Sequence, residues 1–397
     1  MKLEWAWLRM PVLRQLYEEN HSKKPLQGIK IGMCIHLEAK TALLAATLQD
    51  LGAEVSVTSS NPLTTQDDVA AHLTKRIFHV YSWYGETMEE YNQNLQRIAD
   101  TKPDVILDDG GDLGVLLHEK RMVRNVLGAT EETTTGVLRY KAMEMEGALE
   151  FPVIAVNNAR SKRMFDNKYG SGQSVVDGIF RATNTLIAGK KVVIIGYGWV
   201  GKGIASRLRG LGAKVIICEV NPFSALEAHF DGFEVMKAEK AAEIGDIFIT
   251  ATGNLRVISE QHFTKMKDGA ILANAGHFDV EVDVKSLRKI AVETRKIRKN
   301  IEECVLPNGR RLYLLAEGRL VNIAAGDGHP IEIMDMSFAI QLLSIIYITQ
   351  RKNLEAKVYN VPEDVDDKVI TLELKSVEIE IDRFSEEQEK YLKHWKS

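Results

Sequence analysis

Carboxylates gather beside glycines and hydroxyls at two points of this 397-residue chain. Leu107-Asp-Asp109-Gly-Gly-Asp112 follows a short apolar run, and Glu131-Glu132-Thr133-Thr134-Thr135-Gly sets two acids beside three hydroxyls. Such acids can take or give protons where burial or a neighbouring charge tunes their pKa. A turn with acidic caps and a helix cap are the plain structural accounts of the same residues. Ser161-Lys162-Arg-Met-Phe-Asp166-Asn167 puts an amine and a carboxylate four positions apart, on one face if the segment is helical. That spacing suits a surface ion pair as well as a lysine held for acid–base work. Three histidines add candidates: His36 directly after an apolar run, His277 in Asn274-Ala-Gly276-His-Phe-Asp279, and His329 in Gly326-Asp-Gly328-His-Pro330. Each alone is more often structural than catalytic. None has metal-ligand spacing, so no metal is expected, and no nucleophile elbow points to a serine hydrolase.

Gly196-Tyr-Gly198-Trp-Val200-Gly201 stands between an apolar run, 191–195, and a helical pattern, 200–211. The glycine spacing is a weak sign alone, but strand, glycines and helix in this order form a dinucleotide-binding turn. The first glycine permits the tight turn, the second lets the backbone approach a pyrophosphate, and the third lets helix and strand pack closely. The helix N-terminus offers N–H groups and partial positive charge to phosphates. Glu219 closes the next apolar run, where a carboxylate can accept from both hydroxyls of an adenosine ribose and repels a 2′-phosphate. NAD is therefore the expected cofactor; a glycine-rich turn without a ligand is the other reading.

These groups need a frame. Strand and helix patterns alternate almost throughout, which predicts an α/β fold of two doubly wound parallel-sheet domains. Segments 29–35, 54–58, 78–83 and 104–108 read as strands of the first, with a helix over 38–51. Segments 191–195, 214–219, 246–251 and 270–273 read as strands of the second. The expected boundaries are 1–160, 173–327 and 330–397, the last opening with a helix over 332–350. Acids at the C-terminal end of a parallel strand are where doubly wound folds place sites, and two tandem units imply a cleft between them.

Hydrophobic residues make up 45% and charged residues 27%, with net charge −4, a balance that exerts no general pull toward nucleic acid or an anionic membrane. The run Arg295–Lys299 reads as a solvated helix face. Cys34, Cys218 and Cys304 are odd in number and form no CxxC pair, which argues against a disulfide framework. No apolar stretch approaches the ~20 residues that span a bilayer, and MKLEWAWLRM lacks the apolar core of a signal peptide. A cytoplasmic enzyme with a small-molecule substrate is expected.

VNNARSKRMFDNKYGSGQSVVDGIFRATN, GYGWVGKG, ILANAGHFDVEVDV, RLVNIAAGDGHP, DDGGDL and EETTTG resemble the signature stretches of the S-adenosylhomocysteine hydrolase (adenosylhomocysteinase) family. The likeness runs in order from about residue 5 to 395. It implies a split substrate domain, formed by the N-terminal unit and the segment after 330, an NAD domain between them, and a homotetramer. The implied reaction is reversible hydrolysis of a nucleosyl-homocysteine thioether. A thioether leaves poorly; oxidising the ribose 3′-OH to a ketone acidifies C4′–H, so that homocysteine departs by elimination, water adds, and the stored hydride returns. By motif position, Lys162 and Asp166 resemble the pair that binds and deprotonates the 3′-OH, which lysine can do if its pKa is depressed. Asp109 resembles the C4′ base, Glu132 the ribose ligand, and His36 the acid/base near C5′, with His277 near the 3′ oxygen. Thr41, Met334, Gly328 and His329 resemble substrate contacts. Thr133, Thr134, Thr135, Asn167, Gly196, Gly198, Val200, Gly201, Glu219, Thr252, Asn274, Gly276 and Asn322 resemble NAD contacts.

The chain departs from the family pattern in several places. Glu38 stands where the family has Thr, and Lys40 where it has a Glu that accepts from the adenine amino group. Lysine has donors and no acceptor, so it suits a 6-oxo purine, and S-inosylhomocysteine becomes the favoured substrate. The alternative is that Lys40 pairs with Glu38 or Glu332 and Glu38 holds adenine. Ser171 replaces a frequent Cys, Trp199 a common Asp, and the sequence ends at Ser397 without the tail that reaches a neighbour's NAD in many members. An ordinary NAD-dependent dehydrogenase that releases NADH, and a noncatalytic NAD-binding regulator, are the rival functions.

Overall fold

The computed structural model describes residues 2–77, 79–351 and 354–395. Short, largely apolar runs form the strands. In the first half these are β1 (Lys30–Cys34), β2 (Glu54–Thr58), β3 (His79–Val80), β4 (Val105–Asp108), β5 (Gly128–Glu131) and β6 (Val153–Ala155). Then come β7 (Lys191–Ile195), β8 (Lys214–Cys218), β9 (Glu234–Val235), β10 (Ile247–Thr250), β11 (Ala270–Asn274), β12 (Glu293–Arg298), β13 (Ile301–Val305), β14 (Arg311–Leu315) and β15 (Val358–Asn360). One sheet has the order β15-β6-β5-β4-β1-β2-β3 and is parallel throughout. The other runs β12-β13-β14-β11-β10-β7-β8-β9, parallel except where β13 pairs with β12 and β14. The expected strands are present within a residue or two at their ends, save that 78–83 shortens to β3 and Phe78 lies outside the described residues. The strand order reverses between β1 and β4 in the first sheet and, within the parallel part of the second, between β7 and β10. Ligands of open α/β sheets bind in the crevice at such points. His36 and Asp109 follow β1 and β4; the glycine turn and Thr252 follow β7 and β10.

The run Arg295–Lys299 is not on a helix. Residues 293–298 form the exposed edge strand β12, where Arg295 meets Glu303 of β13 at 2.6 Å. Acids on β13 opposite bases on β12 favour strand pairing, and charged residues along a free edge discourage further pairing.

Helix Ile331–Gln350 is long and apolar enough, by length and composition, to cross a membrane, which corrects the expectation of no such stretch. It is instead largely buried, packed on helices Pro11–Asn20, Ala39–Asp50 and Glu363–Ser376 and on β5. Its Asp335 accepts from the backbone N–H of Val12 and Leu13 at 2.8 Å each, and so caps helix Pro11–Asn20, which lacks a side-chain cap of its own. Asp335→Ala leaves two buried donors unpaired and is expected to cost about 2–3 kcal/mol. Burial holds the Asp335 carboxyl up to about 7. Because the folded chain binds this proton more tightly than the unfolded one, the linked stability is full below the unfolded pKa and is lost as pH rises through about 7. Urea unfolding over that range checks both points; Asp335→Asn should flatten the slope, and an Asp335→Ala variant as stable as the native chain contradicts the capping role.

Candidate active site

Both switch points open on one cavity of about 360 Å³. Its walls carry His36, Asp109, Glu132, Lys162, Asp166, His277 and His329, drawn from six separate stretches of sequence. Lys162 and Asp166 share a π-helical segment, Lys162–Gly170, a form of helix that recurs at functional sites. Lys162 Nζ lies 3.0 Å from Asp166 Oδ1, 3.1 Å from Asn167 Oδ1 and 3.4 Å from Glu132 Oε1. Asp166 is held from its other side by Ser337 Oγ, which donates at 3.0 Å, and by His329 Nδ1 at 3.4 Å. Ser171 then meets His329 Nε2 at 3.1 Å.

The second cluster joins residues far apart in sequence. Asp109 Oδ2 lies 3.5 Å from His36 Nε2, and Asp109 Oδ1 lies 3.7 Å from His277 Nδ1. The turn after Asp109 is tight: Gly110 has φ of +112°, and a Cβ there would sit 2.4 Å from His277 Nε2. Behind it Glu131 accepts from the N–H groups of Gly110 and Thr133. His36, Asp109 and His277 bring three potential ligand atoms within 4.8 Å of one another, a grouping that local sequence spacing could not reveal.

At the dinucleotide turn, Gly196 has φ of +102° and a Cβ on Gly201 would lie 2.0 Å from the Gly196 carbonyl oxygen, so neither position admits a side chain. Gly198 faces open space and caps helix Trp199–Gly210 without a side-chain acceptor, which leaves N–H groups free for an anion. Thr133, Thr134, Thr135, Asn167, Val200, Thr252, Gly276 and Asn322 line the same cavity, and Asn322 Oδ1 is buried without a partner. These features fit a dinucleotide. Two expected contacts are already engaged. Glu219 receives the N–H groups of Tyr197, Val220 and Asn221. Asn274 lies off the cavity and ties the Gly276–Phe278 turn to Gly318.

The comparisons with known proteins show the family. Residues 1–127 match the family model described as S-adenosyl-L-homocysteine hydrolase, and residues 167–328 match its NAD binding domain. The chain is 56% identical to an adenosylhomocysteinase of Sulfolobus acidocaldarius, with 100% of this chain and 95% of that protein covered. It is also 56% identical to an S-inosyl-L-homocysteine hydrolase of Methanocaldococcus jannaschii, covering 100% and 96%. The chain belongs to the S-adenosyl-L-homocysteine hydrolase family. NAD is accordingly its cofactor, carried by the second of the two matched regions.

Within this hydrolase the electrostatics correct one expectation. Burial disfavours the Lys162 ammonium, but the carboxylates of Asp166 and Glu132 outweigh it and raise the pKa instead of depressing it. Asp166 is likewise held down by Lys162 and His329 against the effect of burial. Burial dominates at Glu132 and pushes its carboxyl up to about 7, partly offset by Lys162. Burial also pushes His36 down to about 4, against the pull of Asp109. Glu132, not Lys162, is thus the group of this cluster that changes protonation near neutrality.

Glu38, Lys40, Thr41, Gly328 and Met334 also line the cavity. Glu38 caps helix Ala39–Asp50 through the N–H groups of Lys40 and Thr41. Lys40 Nζ reaches Glu38 Oε2 at 2.7 Å and the Asp327 carbonyl at 2.8 Å. Trp199 lies at the cavity wall with Lys202 Nζ 5.4 Å from its ring centroid. Sequence reasoning missed Gln341, whose Nε2 donates to Glu132 Oε2 at 2.6 Å; a glutamine amid the apolar run of helix Ile331–Gln350 was the available signal. It also missed Asn157, which donates to Thr134 and accepts from Asn167.

Proposed function

We propose that this enzyme hydrolyses the thioether of a purine-nucleosyl homocysteine to nucleoside and homocysteine, with S-inosylhomocysteine preferred. The observation that carries the reaction is the single cavity in which the Lys162–Asp166–Glu132 cluster, the Asp109–His36–His277 cluster and the dinucleotide turn meet. Bound NAD supplies reversible hydride removal at C3′. Lys162, kept as an ammonium, holds the 3′ oxygen and steadies negative charge on it. Glu132 accepts from the ribose and is the nearby group able to take the hydroxyl proton. Asp109 takes the proton from C4′ once the ketone has acidified it, and His36 gives a proton to the departing sulfur.

The preference for a 6-oxo purine rests on how Lys40 and Glu38 are spent. The carboxylate of Glu38 already receives Lys40 N, Thr41 N and Lys40 Nζ. Lys40 Nζ has three hydrogens, two of them committed to Glu38 and the Asp327 carbonyl, so one N–H remains to donate. A carbonyl at the purine six position satisfies that donor; an amino group does not. The Lys40–Glu38 pair is also the contact on which the adenosyl reading relies, with Glu38 using its remaining acceptor capacity for a 6-amino group.

Thiol release from the two thioethers, measured side by side on the holoenzyme, separates these readings. The native protein should favour the inosyl compound. Lys40→Met should lower kcat/KM on that compound about 10–100-fold, the worth of one charged hydrogen bond, and change the adenosyl value less. A native preference for the adenosyl compound defeats the inosyl reading. Stoichiometric release of reduced cofactor would favour a dehydrogenase and defeat the hydrolase mechanism.

A further inference from the structure

A neutral imidazole carries its hydrogen on one nitrogen, and the partners of the other ring atoms decide which. His36 is neutral near pH 7, since burial holds its pKa to about 4. Two hydroxyls face its Nδ1: Thr64 Oγ1 at 2.8 Å and Ser60 Oγ at 3.2 Å. Both are buried. A hydroxyl has one hydrogen to give and two lone pairs to offer. Thr64 has the carbonyl oxygen of Asn61 at 2.9 Å, and Ser60 has the Asp109 carboxylate at 3.3 Å. A carbonyl can only accept and the Asp109 oxygen accepts from Ser60, so a hydroxyl that gives its hydrogen there turns a lone pair toward His36. Ser59 Oγ extends the chain, 3.0 Å from Thr64 Oγ1 and 3.1 Å from the Asn61 carbonyl. On the far side of the ring, Asp109 Oδ2 approaches Nε2 only to 3.5 Å. A hydrogen on Nε2 would leave Nδ1 facing two oxygens whose hydrogens are engaged elsewhere.

We infer that Thr64 and Ser60 are positioning residues that set the tautomer of His36, holding the hydrogen on Nδ1 and leaving Nε2 as the basic nitrogen beside Asp109. The inference rests on the reading of His36 as the acid/base near C5′, and gives that reading its direction. The C4′ proton collected by Asp109 can pass to the Nε2 lone pair, forming imidazolium, and from there to sulfur as the carbon–sulfur bond breaks. The ring then returns to its starting tautomer and Asp109 to carboxylate. A ring protonated on Nε2 could not receive that proton.

The test uses holoenzyme with 15N-labelled histidine. The native protein should show a pyrrole-type Nδ1 and a pyridine-type Nε2 for His36, assigned by the loss of signal in His36→Gln. Thr64→Val should move the population toward the other tautomer and slow thiol release about 10–100-fold, a part of what a general acid or base contributes. Oxidation of bound substrate at C3′, read by the absorbance of reduced nicotinamide, should stay at the native rate, and Thr64→Ser should restore both tautomer and thiol release. A native His36 protonated on Nε2, an unchanged tautomer in Thr64→Val, or an equal loss in both steps overturns the inference. Full thiol release by His36→Gln would remove His36 from the chemistry, a failure of the functional reading that the tautomer spectrum registers separately.

Discussion

Lys162→Met is expected to abolish thioether hydrolysis, lowering kcat by about 10³-fold or more, while the protein still binds NAD. The reason is local charge. Lys162 is the cation facing two buried carboxylates, at 3.0 Å from Asp166 and 3.4 Å from Glu132. Methionine has a similar reach and shape but no charge, so the substrate's 3′ oxygen loses the group that steadies it during oxidation. The carboxylates lose their counter-charge too, and Glu132, already held up to about 7 by burial, must shift further toward the neutral acid. The variant should therefore fail at the first chemical step: substrate addition should produce no absorbance of reduced nicotinamide. The dinucleotide turn around Gly196 and Gly201 lies outside this ion cluster, so cofactor fluorescence titration should show near-native binding. Turnover within about 10-fold of native would mean that Lys162 only organises the π-helical segment.

Asp109→Asn should fail later. Asparagine keeps the size of Asp109 and can still accept from Ser60, which donates to Oδ2 at 3.3 Å, but it cannot take a proton from carbon. Oxidation at C3′ should proceed, so reduced nicotinamide should accumulate on the enzyme, while thiol release falls by about 10²–10⁴-fold. Exchange of the C4′ hydrogen with deuterated solvent should be lost in parallel. The pairing of the two variants is the informative part: one blocks before reduced cofactor forms, the other after. If Asp109→Asn released homocysteine at the native rate, the C4′ base would have to be sought elsewhere, with His277, 3.7 Å from Asp109, the next group to examine.

Much of this site was legible from local pattern. Strand, glycine turn and helix predict the tight turn because backbone sterics leave few residues able to make it, and Gly196 and Gly201 each have a close backbone approach there. The reading of β1, β4, β7 and β10 held because buried parallel strands are written as short apolar runs. Other parts were misread for physical reasons. The basic run at 295–299 carries no information about its partner until β13 lays Glu303 beside Arg295. The expectation of no apolar stretch near ~20 residues is overturned by helix Ile331–Gln350, whose burial against three other helices and β5 is a tertiary fact.

Residue types, spacing and family signatures determined the α/β architecture and the NAD cofactor, since these depend on what each short segment can form by itself. The tertiary structure decided the protonation states. Lysine 162 is raised, not depressed, because folding sets two carboxylates around it. Strand order brings β1 beside β4 and so His36 beside Asp109, and the turn after β11 of the other sheet adds His277 to the cluster. Charge interactions act through space and strengthen as charges approach in a low-dielectric interior, so their outcome is written in the packing and not in the order of residues along the chain.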